Sequence, residues 1–78
     1  HPPPQGRPGG VSEPATLERA VEATLFAAEE PMTVEALAAH FGGIAPGDVR
    51  EALAALTQLY LQRGVHLVER GGRWHFET

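Results

Sequence analysis

The spacing of apolar positions divides the chain beyond its first fourteen or so residues into helical stretches and a final stretch of period two. From Val49 onward, Ala52, Leu53, Leu56 and Tyr60 recur on one face of a 3.6-residue period, while Arg50, Glu51, Ala54, Gln58 and Gln62 fall elsewhere. This predicts a long amphipathic helix that opens near Pro46, carries Asp48 in its first turn and runs out at Gly64. After Gly64 the residues alternate through Arg70, meet Gly71-Gly72 and alternate again to Thr78. Two glycines between alternating runs predict a two-residue hairpin, because both can take positive φ. In that register Leu67 faces Phe76, Val68 faces His75, Glu69 faces Trp74 and His66 faces Glu77. Val65, Leu67, Trp74 and Phe76 then point inward with Glu69 and Thr78, and His66, Val68, Arg70, Arg73, His75 and Glu77 point outward.

Upstream, a first helix is predicted from Ala15 or Thr16 to about Glu29, with Thr16 as N-cap and Glu18 and Glu22 near its positive end. Leu17, Val21, Thr24, Leu25 and Ala28 form its stripe. Phe26 falls almost opposite, which fits either a helix buried on two sides or an exposed contact patch. Pro31 stops this helix. Met32-Thr33 follows as an extended link, and Thr33 caps a second helix from Val34 to His40 or Phe41, which Gly42-Gly43 ends. Ile44 anchors the turn into the long helix.

Residues 1–14 are rich in Pro and Gly, with almost no large apolar group to offset the entropy of ordering, and are expected to be a disordered leader. A Pro-rich ligand is the functional alternative for this stretch, although it lacks a clean PxxP frame with flanking specificity. One domain over 15–78 remains. At 78 residues the chain can bury only about 60% of its unfolded surface, so a partner can matter to its stability. The chain begins without Met and stops directly after a predicted strand, so it is expected to be a fragment or a processed form.

The formal net charge is −4, with Arg as the only cation besides His. Cysteine is absent, which excludes disulfides and thiolate metal sites and fits a reducing compartment. No run approaches the roughly 20 apolar residues of a membrane span.

Three helices followed by a hairpin make a winged helix-turn-helix, mainly α, with a wing of two strands or, if Met32-Thr33 joins it, three. In DNA readers of this shape the third helix offers basic or amide side chains to the major groove. Here its outer face carries Arg50, Glu51, Ala54, Thr57, Gln58, Leu61 and Gln62, with Asp48 and Glu51 at the leading end. The shape suits DNA; the charge opposes it.

The stretch from Glu22 to Ala28 leading into Glu30-Pro31-Met32-Thr33, then Ala52-Leu53 through Tyr60, Arg63-Gly64-Val65, Leu67-Val68-Glu69 and Gly71 to Thr78, resembles the N-terminal domain of segregation and condensation protein B. The resemblance covers nearly everything after the leader. It implies a non-enzymatic subunit of the bacterial SMC condensin-like complex, acting in chromosome condensation and segregation in the cytoplasm at the nucleoid. Relatives carry two tandem winged-helix domains, of which this chain would hold the first. They dimerise largely through that domain and bind the kleisin subunit (ScpA-like), and SMC protein through it. The contrasting function is a DNA-binding winged-helix transcriptional regulator, in which Arg70 and Arg73 touch the groove or backbone; a scaffold in another assembly is the third.

Contact surfaces are sought where apolar groups leave the core stripes: Phe26, Leu61, Val68 with its neighbour His75, and Trp74 near the hairpin tip, which can anchor a partner or pack over the third helix. His66 and His75 are diagonal neighbours with Glu77 across the strand, a set that could hold Zn²⁺ only on a wet, open face. No metal and no cofactor are expected. No Gly-rich phosphate loop opens a helix, and Ser12 has no base placed near it, so no catalytic set is expected either.

Overall fold

The computed structural model describes residues 13–78. Helix α1 spans Pro14–Ala27, strand β1 Met32–Thr33, helix α2 Val34–His40, helix α3 Pro46–Leu59, and strands β2 and β3 His66–Arg70 and Arg73–Glu77. The strands form one antiparallel sheet in the order β1-β3-β2, so the short edge strand lies beside the last strand and the wing has three strands. The hairpin register is the expected one: Leu67 opposes Phe76, Val68 opposes His75 and His66 opposes Glu77. Gly71 and Gly72 both take positive φ, 61° and 81°, the conformation a two-residue loop needs to match the twist of its strands.

The helix ends differ from the sequence expectation, and each difference has a local cause. Helix α1 begins at Pro14 rather than at Ala15 or Thr16, because proline fixes a helical φ and has no N–H to leave unpaired. Glu13 holds the cap position without a side-chain bond, so Thr16 is not the N-cap, and no acid lies in the first turn. The last two residues of the expected leader therefore sit at the start of α1, and the remainder of that leader lies outside the described residues. At the other end α1 stops at Ala27, two residues short of Glu29; Ala28 is already extended at ψ 136°. Thr33 caps α2 as expected, its Oγ1 accepting the Ala36 N–H at 3.0 Å. Helix α3 ends at Leu59, short of Gly64, with Tyr60 as its C-cap and turns carrying the chain onward.

The core forms where the helix stripes meet. Leu17, Val21 and Leu25 from α1, Val34, Leu37 and Ala38 from α2, Val49, Ala52, Leu53 and Leu56 from α3, then Tyr60 and Leu67 are buried. Met32, Phe41, Ile44, Val65, Trp74 and Phe76 close over this cluster from its margin. Burial of these apolar groups is the main term holding the domain together.

Candidate protein interface

The end of the molecule where α1, α3 and the open end of the hairpin meet carries its exposed apolar groups. Among the described residues Phe26, Leu59 and Leu61 are the large apolar side chains left about half exposed. Phe26 is not buried on two sides. Its ring stacks on Phe76 with centroids 4.1 Å apart and planes 10° apart, and tilts toward Tyr60 at 6.2 Å. Tyr60 and Phe76 are themselves 4.9 Å apart, so the three rings make one pile whose outer ring is Phe26. Leu59 and Leu61 flank the buried Tyr60 in the chain, the first as the last residue of α3 and the second in the turn after it.

Polar groups fix the pile. The Tyr60 hydroxyl donates to the Glu22 carboxylate, tying the end of α3 to the middle of α1, and the Arg63 guanidinium lies 5.0 Å from the Tyr60 ring centroid. Glu22 thus serves a tertiary bond rather than the helix dipole. The bond to Glu22, then burial and the Glu22 charge, push the Tyr60 phenol above its usual value, against the opposing pull of Arg63.

The outer face of the wing is organised around Glu77. Arg70 donates to its carboxylate at 2.5 and 3.3 Å, and His75 Nε2 meets it at 2.7 Å. These partners, His75 before Arg70, hold the Glu77 carboxyl below its ordinary value. Glu77 is committed to this pairing, His66 is exposed, and no cluster of metal-ligating side chains forms among the described residues. Val68 and His75 lie opposite each other on this face, half-buried. Trp74, on the inner face, packs against the core margin and walls a hollow of about 330 Å³ with Val34, Glu35 and Arg50. The proposed contact residues therefore separate. Phe26 and Leu61 belong to the exposed apolar end, Val68 and His75 to the outer wing face, and Trp74 to packing between wing and helices.

The face that would read DNA bears mixed charge. Arg50 on α3 is 3.9 Å from Glu35, Arg70 is occupied by Glu77, and Asp48 and Glu51 line a hollow at the start of α3 with Glu18. No helix among the described residues is long and apolar enough to cross a membrane.

The family model of the segregation and condensation complex subunit ScpB matches residues 19–78. The chain belongs to that family. A crystal structure described as a dimer of the ScpB N-terminal domain complexed with ScpA peptide resembles it with a TM-score of 0.71 at 30% identity, over 88% of this chain and 79% of that one. Comparison with curated proteins gives no match. The chain thus shares the fold of an ScpB N-terminal domain, as the sequence resemblance implied. Leu59 is the exposed apolar residue that sequence reasoning missed. It lies 60° from Leu56 on an ideal helix, at the edge of the core stripe, and is left 49% exposed as the last residue of α3.

Proposed function

We propose that this ScpB-family domain is a non-enzymatic interaction module that pairs with a second copy and holds a ScpA-type kleisin segment. It would thereby join an SMC complex that condenses and segregates the chromosome at the nucleoid. The observation that carries this reading is the concentration of Phe26, Leu59 and Leu61 around Tyr60 at one end of an acidic domain. A half-exposed aromatic ring supported by two others is a rigid apolar anchor, the kind of group that dominates protein interfaces. The likeness to an ScpB domain that is itself dimeric and peptide-bound supports both partners.

Sedimentation of the chain alone and with peptides from the kleisin of its complex tests the reading. A concentration-dependent dimer and a saturable peptide complex are expected. A strict monomer at high concentration removes the first partner, and absence of any peptide complex removes the second. Anisotropy with duplex DNA at low salt should show weak binding or none; strong, steeply salt-dependent binding would transfer the domain to the DNA-reading class.

A further inference from the structure

Strand β3 is covered along only part of one edge. β1 pairs Met32 with Trp74 and Thr33 with Arg73 and contributes nothing further, whereas β3 continues to Glu77. Residues 75–77 therefore have β2 on one side and no strand on the other. Pro31 would oppose His75 at a position that exchanges no hydrogen bonds with β3, so the next bonds of the ladder would come from Glu30, and there the chain bends away. Among the described residues no backbone hydrogen bond joins 28–31 to 75–78. The direction of the free groups follows from the hairpin. Arg70 and Arg73 close a two-residue loop as a hydrogen-bonded pair, so the alternation of an antiparallel ladder turns the backbone of Arg73, His75 and Glu77 toward β2. The backbone of Trp74 and Phe76 then points to the other edge. Trp74 meets Met32 there, and Phe76 meets no strand.

A groove of about 350 Å³ runs along this open edge, with residues 28–31 on one bank, 75–78 on the other, and Leu25 and Phe26 in its lining. Its bank carries Glu29 and Glu30, both exposed and neither ion-paired among the described residues. We infer that an extended kleisin segment adds to the β3 edge as a further strand, exchanging backbone hydrogen bonds with Phe76. It sets an apolar side chain on the Phe26–Phe76 rings and a Lys or Arg against Glu29 and Glu30. This rests on the kleisin-binding reading above and specifies how and where the segment is held.

The test uses overlapping peptides spanning the kleisin, followed by versions of the tightest binder N-methylated at one backbone amide at a time. Strand addition predicts an about tenfold loss at alternate amides and little change at those between, since each loss removes one hydrogen bond and leaves the side chains intact. The Phe76 amide should exchange more slowly with solvent in the complex, and Glu29→Lys with Glu30→Lys should weaken the peptide more than Glu51→Lys does. A peptide that binds with no sensitivity to N-methylation and no change at Phe76 overturns strand addition while leaving kleisin binding intact. If no peptide binds, the kleisin reading itself fails. Protection of Phe76 that grows with protein concentration alone assigns the edge to a second copy and overturns the proposal.

Discussion

The α1–α3 seam and the wing are built from similar residues to opposite ends. Along the seam Leu17, Val21, Val49, Leu53 and Leu56 are at most 1% exposed, and the stripes that supply them obey one helical period from end to end. In the wing Leu67 alone is buried, while Val65, Val68, Trp74, His75 and Phe76 stay half-covered and the closest aromatic stack, Phe26 on Phe76, has its outer ring about half exposed. A domain this small has few apolar groups to spare. Leaving Phe26, Leu59 and Leu61 outside the core therefore separates the residues that hold the fold from those proposed to meet a partner.

Substitutions on the two sides should divide accordingly. Leu53→Ala removes a side chain with no solvent exposure at the centre of the seam and should cost about 3 kcal/mol, a large share of the stability of a domain of this size. Urea unfolding measures it, and a midpoint near wild type would show that the seam can collapse onto the gap. Phe26→Ala should do the reverse. Its half-exposed ring contributes about 1 kcal/mol or less to folding, yet its loss should weaken partner binding by about 2 kcal/mol. A variant as unstable as Leu53→Ala, or one that binds normally, would erase the distinction.

Tyr60 joins the two regions, and its effect should be smaller. Tyr60→Phe keeps the ring pile but removes the hydroxyl bond to Glu22, costing about 1 kcal/mol of stability. Because the folded phenol lies above its ordinary 10.0, this contribution is complete below that pH and is lost as pH rises through the raised value. Alkaline unfolding of the wild type should thus begin to converge on that of Tyr60→Phe, and parallel curves would exclude the bond.

Most of the frame was legible in the sequence because local signals agreed with one another: the stripes on α1 and α3, Thr33 before α2, and Gly71-Gly72 between alternating runs. The helix ends were less so. Pro14 opened α1 where Thr16 looked the better cap, and α3 ended at Leu59 although the apolar period continues to Tyr60, because Tyr60 keeps its burial as a cap residue rather than as a helical one. Within the candidate surface, periodicity identified Phe26 and Leu61 as off-stripe. It could not show that Phe26 would lie on Phe76, a contact set by how the wing folds back against α1. The half-open edge of β3 was equally hidden, since it depends on the bend at Glu29 and Glu30 that carries the chain away before β1 can pair beyond Met32.

The smallest expected effect is a titration at the end of β3. His75 and then Arg70 hold Glu77 below its ordinary 4.5, so their contribution is complete above that pH and is lost as pH falls through the depressed value. His75→Ala and Arg70→Ala should each move the Glu77 midpoint, read by NMR, back toward 4.5, the first by more than the second. Because the groups are partly solvated, global stability should hardly change. What should change is local: Arg70 and Glu77 sit at opposite ends of the hairpin strands, and their pairing restrains the last residues of β3, whose other edge is uncovered. Faster amide exchange at His75 and Glu77, whose backbones face β2, in Arg70→Ala, with an unaltered unfolding midpoint, would show that the wing is held by its own surface network while the seam keeps the fold. An unmoved Glu77 midpoint in both variants would remove that network from the account.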